Sequence, residues 1–198
     1  IAVASLAFAL RRQAEDRPAL WVSDLYGVQQ GHADKWQVCL AHQLRNGQFA
    51  IEADDMVFAP RMKAWLLRVC VLARRRGELA ETTRRTCKRR FENDLDKIMD
   101  LSPENKQSRR LRKRYGKIRD SLLTFLEHPE IAPDNNSSER ELRPTATYRK
   151  VIGGFRSDWG PDLFAAIRSV VGTAARQGQN AFDAIRSTLG ISCAYAGK

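Results

Sequence analysis

Between residues 58 and 127 apolar side chains recur at the 3.6-residue spacing of a helix, which confines this stretch to an all-helical unit. In "FAPRMKAWLLRVCVLARRR", Met62, Trp65, Leu66, Val69, Leu72 and Ala73 share one face. Pro60 falls in the first turn, where a missing N–H costs little. "RTCKRRFENDLDKIMDLS" and "PENKQSRRLRKRYGKIRDSLLTFLEH" read as two further helices. Ser102 before Pro103 is the expected N-cap of the second, and His128-Pro129 its stop.

The flanks differ. "ALWVSDLY" reads as a short buried strand whose apolar run stops at Asp24, followed by a turn around Gly27 and Gly31. "KWQVCLAHQLR" starts as a strand and passes into a helix near Leu40. Beyond residue 128, "DNNSSEREL" starts a helix that Pro144 is expected to end, and "YRKVIGGFRSDWG" reads as extended or looped. "PDLFAAIRSVVGTAARQG" is amphipathic, with Phe164, Ile167, Val170, Val171 and Ala174 on one face and Gly178 at its end. "NAFDAIRSTLG" runs from Asn180 as N-cap to Gly190. The expected division is 1–57, 58–128 and 129–198, the middle segment being a helical insertion.

A formal charge of +11 and a pI near 10.0 point to a polyanionic partner, because each neutralised phosphate releases counterions. An inert basic surface is the alternative. The densest run is "RRLRKRYGK", read as a phosphate-contacting helix through Arg109, Arg110, Arg112, Lys113 and Arg114. "RRR" at 74–76 and "KRR" at 88–90 either extend that patch or are helix-end cations. Four scattered cysteines (Cys39, Cys70, Cys87, Cys193) suit a reduced, intracellular setting. The opening "IAVASLAFAL" is too short to span a bilayer and has no basic segment before it, so neither a membrane span nor a signal peptide is expected. It also lacks an initiator Met, so an upstream part is expected to be missing.

In "PDNNSSERELRP", Asp134 or Asn135 can cap a helix on which Asn135, Glu139 and Leu142 or Arg143 share a stripe. Leu142 is expected to face the core, leaving Glu139 at its border and Glu141 pointing elsewhere. Two readings stand: a capped surface helix with a Glu139–Arg143 pair, or a metal-binding carboxylate. "CLAH" spaces Cys39 and His42 like half a zinc site, but Cys70, Cys87 and His128 supply no second half. A buried thiol and a hydrogen-bonded imidazole beside the site is the preferred alternative. Gly153-Gly154 allows a tight turn. Arg149, Lys150, Phe155, Arg156 and Trp159 around it either contact DNA or make a structural turn with two core aromatics.

D-N-N-x-x-E-R-x-L-R-P, followed by "YRKVIGGFRSDWG" and "FAAIRSVVGTAARQG", resembles the C-terminal catalytic signature of bacterial insertion-sequence transposases of the IS-sixty-six family. "ALWVSDLYGVQQGHADKWQVCLAHQLR" resembles that family's second catalytic block, and "FAPRMKAWLL" with "RLRKRYGKIRDSLLTFLEHPE" its helical insertion. The resemblance runs through roughly residues 18–190 in the family's order.

The resemblance implies an α/β, ribonuclease-H-like core interrupted by the insertion. It implies an Asp-Asp-Glu triad holding two Mg²⁺ or Mn²⁺ ions, and DNA transposition by phosphoryl transfer. Asp24 matches the second acid and Glu139 the third. Cys39, His42, Asn135, Asn136, Arg140 and Arg143 support the site. Double-stranded DNA, a possible homodimer and a bacterial, cytoplasmic, nucleoid-associated location follow from the same resemblance. The first acid belongs on an earlier strand, and only Glu15 and Asp16 precede Asp24. A frameshifted or truncated gene copy is therefore expected, inactive alone, with a DNA-binding remnant as the alternative.

Overall fold

A computed structural model describes residues 20–27, 33–103 and 105–190. The apolar opening, Glu15, Asp16, Gly31 and Cys193 lie outside these residues. The chain divides into two compact units, residues 1–136 and 137–198. It is mostly helical.

In the first unit β1 (Leu20–Ser23) pairs in parallel with β2 (Lys35–Val38), Trp21 opposite Trp36 and Ser23 opposite Val38. Among the described residues, sheet is confined to this pair. Helix α1 (Leu40–Glu52) leaves β2 directly, as expected, and packs against α2 (Phe58–Arg74). Phe58, Met62, Trp65, Leu66, Val69 and Ala73 of α2 are buried, which is the face expected from its periodicity. Helix α3 (Glu81–Met99) crosses α2 where the Trp65 indole donates to the Phe91 carbonyl at 3.0 Å and meets the Phe91 ring edge-on. Helix α4 (Lys106–Ile118) buries Leu111, Tyr115 and Ile118. Tyr115 donates its hydroxyl to the Gln43 carbonyl at 3.3 Å, and burial pushes its phenol well above the ordinary range.

The long helix expected from 103 to 128 is interrupted. It begins at Lys106 with Asn105, not Ser102, as N-cap. A 3₁₀ turn at Arg119–Ser121 separates it from the short α5 (Thr124–Glu127). The break has a cause in β2. Gln37, fully buried, donates to the carbonyls of Val38 and Leu122 and accepts the Phe125 N–H at 3.0 Å, while Thr124 Oγ1 donates to the Trp36 carbonyl at 2.8 Å. These bonds turn residues 122–125 onto the strand, a course that a continuing helix cannot follow. His128 caps α5 as expected.

In the second unit, α6 (Asn136–Ile152) runs through Pro144 instead of stopping there. The stretch from Tyr148 to Ile152 is therefore helical, and the loop is confined to 153–159. Tyr148 packs with Phe155 and Phe164, centroids 4.8–5.6 Å apart, and this trio fixes the extra turns. Helix α7 (Gly160–Arg176) packs against α8 (Ala181–Thr188). Asn180 caps α8, accepting the Phe182 N–H at 2.8 Å, as expected. Ile167, placed on the buried face of α7 by the sequence, is 43% exposed.

Glu141, set aside by the sequence reading, ties α6 to α7. Its two oxygens each lie 3.5 Å from an arginine one turn to either side of Gly172, Arg168 and Arg176. A Cβ on Gly172 would stand 3.1 Å from Glu141 Oε2. Gly172→Leu is expected to push the helices apart and destabilise this unit by about 1–3 kcal/mol. Thermal melting followed by circular dichroism checks this; an unchanged melting temperature would remove the close approach as a constraint.

Candidate acidic site and nucleic-acid interface

Asp24 is the first residue beyond β1, at the carboxyl end of a parallel pair, where open α/β sheets place ligands. Its Oδ1 accepts the Tyr26 N–H at 2.9 Å. The preceding Ser23 is buried. Its hydroxyl accepts the Trp36 indole N–H at 2.8 Å and donates to the Asp24 carbonyl at 3.0 Å. The backbone that presents the carboxylate is thus held on both sides.

Cys39 joins three motifs. Its N–H donates to the Ser23 carbonyl at 2.8 Å, and its sulfur accepts the Asn135 N–H at 3.4 Å. Leu40 donates to the Pro133 carbonyl at 3.0 Å. "VSDL", "CLAH" and "PDNN", far apart in sequence, therefore meet in the first unit. Burial pushes the Cys39 thiol up, against the N–H groups of Asn135, His42 and Ala41. Cys70 is raised by burial and by the Asp134 carboxylate. Neutral thiols of this kind are packing groups, not ready thiolate ligands. His42 follows in the first turn of α1, half-buried.

Asp134 Oδ1 accepts the Asn136 N–H at 3.1 Å and opens α6. Asn135 is only 9% exposed, and its Oδ1 has no hydrogen-bond partner. Glu139 lies in the first turn of α6, half-buried, and Arg140 and Arg143 are exposed. Leu142 is 40% exposed, so it does not anchor the helix to a core as expected. Asp24 and Glu139 fall in different units, and the geometry of each is that of its own unit. Among the described residues no group of three or more His, Cys, Asp or Glu side chains is placed to hold a metal ion.

The basic run resolves by helix face. Lys106, Arg109, Arg110, Lys113, Arg114 and Lys117 are exposed along α4, opposite the buried Leu111, Tyr115 and Ile118. Helix α4 contains no acidic residue, and no ion pair of Lys106, Arg110, Lys113, Arg114 or Lys117 occurs among the described residues. Arg112 departs from the expected set: it is half-buried, and its Nε donates to the Met99 carbonyl at 2.6 Å. Lys106, one turn before the run, and Lys117 at its end lie with Arg110 and Lys113 at the i, i+4, i+7 and i+11 positions of one stripe.

Several cations elsewhere in the first unit are occupied, while Arg61, Arg74, Arg89 and Arg90 are exposed. Lys88 meets Glu92 and Glu127, each at 2.9 Å, and Arg85 pairs with Glu81. Arg76 donates to the carbonyls of Pro129, Ile131 and Ala73, and Arg84 to that of Leu126. "RRR" and "KRR" are therefore partly structural. In the second unit Arg149, Lys150 and Arg156 are exposed around the Gly153-Gly154 turn.

Asp24 at the strand end is joined through its neighbour Ser23 and through Cys39 to the backbone of the Asn-Asn motif, and the basic helix α4 lies in the same unit. The family model described as Transposase IS66 family matches residues 8–162, and the chain belongs to that family. No curated protein and no solved structure matches the chain. Among the described residues no helix is long and apolar enough to cross a membrane.

Proposed function

We propose that this transposase chain binds double-stranded DNA through the α4 stripe and uses Asp24 and Glu139 as two of the carboxylates that hold divalent cations. The observation that carries the DNA reading is the row of exposed cations on α4, a helix without an acidic residue. Duplex phosphates fit such a row, because each one it neutralises would release condensed counterions. Residues 58–128 are then a DNA-contacting insertion in a ribonuclease-H-like core, of which β1 and β2 would be part. Cytoplasmic, nucleoid-associated action and a homodimer at the element ends belong to the same reading.

By type, Asp24 and Glu139 suit Mg²⁺ or Mn²⁺, which prefer oxygen ligands. As a set they are incomplete among the described residues. A bound ion pair would activate the attacking oxygen and stabilise the leaving one. What the chain's own residues do is narrower. The Ser23–Trp36 and Cys39–Ser23 bonds hold the Asp24 backbone, and the Cys39–Asn135 bond holds the approach to the Glu139 helix.

Titration calorimetry of Mn²⁺ into wild type, Asp24→Asn and Glu139→Gln tests the carboxylates, with duplex binding measured in parallel. Both variants are expected to lose most of the Mn²⁺ heat while keeping metal-free DNA affinity. Unchanged heat in both variants removes the carboxylates from the reading and leaves a non-catalytic DNA-binding chain. Strand cleavage of end-labelled element DNA by wild type, lost in Asp24→Asn, would instead establish full activity.

A further inference from the structure

Two aromatics of the loop between α6 and α7, whose charged residues are Arg156 and Asp158, have separate fates. Phe155 is half-buried in the trio with Tyr148 and Phe164. Trp159, immediately before α7, is 67% exposed. A buried indole that merely fills a core would not present two-thirds of its surface to water.

The loop is built to keep it there. Gly153 and Gly154 have φ of +74° and +117°, conformations that other residues rarely adopt, and reverse the chain after Ile152. The Gly160 N–H donates to the Ser157 carbonyl at 3.3 Å, and a Cβ on Gly160 would come within 3.0 Å of the Ser157 hydroxyl and 3.3 Å of the Phe155 ring. The turn is therefore pinned from inside by Phe155 while Trp159 stays outside. Arg149 and Lys150 end α6, and Arg156 lies in the loop three residues before the indole; all three are exposed.

An exposed indole on a turn held by Phe155, with three exposed cations in the same segment outnumbering Asp158 and Asp162, is suited to bind a nucleobase by its face and the flanking phosphates by charge. Every base has a π-face, so such a platform needs no particular sequence. It needs a base that is free to leave its stack. We propose that Trp159, with Arg149, Lys150 and Arg156, forms a stacking site for unpaired DNA, distinct from the duplex-binding stripe of α4. The site rests on the DNA reading above and deepens it: strand ends or locally opened DNA are its ligand, and duplex is not.

The test uses the full chain and two fluorescein-labelled probes, a blunt duplex and the same duplex carrying a single-stranded tail. Fluorescence anisotropy is read for wild type, Trp159→Ala and Trp159→Phe. Wild type is expected to prefer the tailed probe. Trp159→Ala should lose about 5- to 100-fold in affinity for it and less than twofold for the blunt duplex, a range set by the usual loss on removing a base-stacking aromatic. Trp159→Phe should retain most of the preference, because a phenyl ring still stacks. Tryptophan emission of wild type should be quenched by the tailed probe, with the quenching absent in Trp159→Ala. Because the side chain is exposed, all three proteins should melt together.

Duplex binding with no tail preference, or a Trp159→Ala protein indistinguishable from wild type on both probes, overturns the stacking site and leaves the α4 reading intact. Absence of binding to either probe overturns both. A Trp159→Ala change that turns a dimer into a monomer on gel filtration, with the probe ratio unchanged, assigns the indole to a protein interface and also overturns the proposal.

Discussion

Replacing Asp55 by alanine is expected to destabilise the first unit by about 2–4 kcal/mol, lowering its melting temperature by about 10 °C. Asp55 is fully buried, in the turn before α2. Its Oδ1 accepts the N–H groups of Val57 and Phe58 at 3.1 and 3.2 Å, and its Oδ2 that of Ala59 at 2.8 Å. One carboxylate thus satisfies three of the donors that the start of a helix leaves open. Alanine would leave all three inside the protein, against the helix that carries Met62, Trp65 and Val69 into the core. Burial alone would discourage the charge. The nearby Ser108 hydroxyl and the N–H groups of Ala59, Val57 and Phe58 outweigh it and hold the carboxyl below its ordinary range.

A depressed folded pKa fixes the sign of the pH dependence. The stabilisation is complete above the unfolded-state value, near pH 4, and is lost as pH falls through the lower folded value. Asp55→Asn keeps the shape without the charge. Its stability deficit relative to wild type should be constant from pH 5 to 8 and shrink below about pH 4. Glu127, held down chiefly by its hydrogen bond from Lys88, adds an acid-sensitive contribution of the same sign to both proteins. The difference between them isolates Asp55. Urea unfolding at a series of pH values measures it, and a deficit that grows in acid would contradict the capping account.

Much of this architecture is legible in the chain because it is local. The α2 stripe, the turn from β2 into α1 at Leu40 and the Asn180 cap follow from periodicity and cap chemistry alone. The failures trace to distant partners. Asn105 displaces Ser102 as a cap because its Nδ2 also donates to the Ala53 carbonyl at 2.7 Å, a bond no window of sequence contains. Pro144 lacks one donor, yet the Tyr148 packing carries α6 past it. Gln37 breaks the helix before α5 from a strand more than 80 residues earlier. At the site, residue types and motif order were readable in Asp24, Cys39 and the Asn-Asn pair. The joining of the three motifs through Cys39 was not, since a C-x-x-H spacing gives no hint that its sulfur accepts a backbone N–H. Asp55 was readable and was missed: an aspartate just before the apolar run of α2 is an ordinary helix-start signal. Arg112 and Arg76 looked like any other cation in a basic run, and only their burial separates them from the phosphate-facing set.

That separation is what a charge-removal experiment can weigh. Replacing Arg110, Lys113, Arg114 and Lys117 together by alanine is expected to weaken duplex binding by about three orders of magnitude near 0.1 M salt. The plot of log affinity against log salt should become shallower by about 3 to 4, since each phosphate contact contributes about 0.9 to its slope. The helix itself should survive. Alanine is a strong helix former, and Leu111, Tyr115 and Ile118 still bury the opposite face. General loss of positive charge is the competing explanation. A second variant, with the exposed Arg61, Arg74, Arg89 and Arg90 replaced by alanine, removes the same charge from other helices. If the α4 row is the contact, this control loses less than tenfold and keeps nearly the wild-type slope, because long-range attraction between exposed charges is already screened beyond about 10 Å at that salt. Equal losses in the two proteins would mean that DNA responds only to the overall charge, and the α4 stripe would have no claim to be an interface.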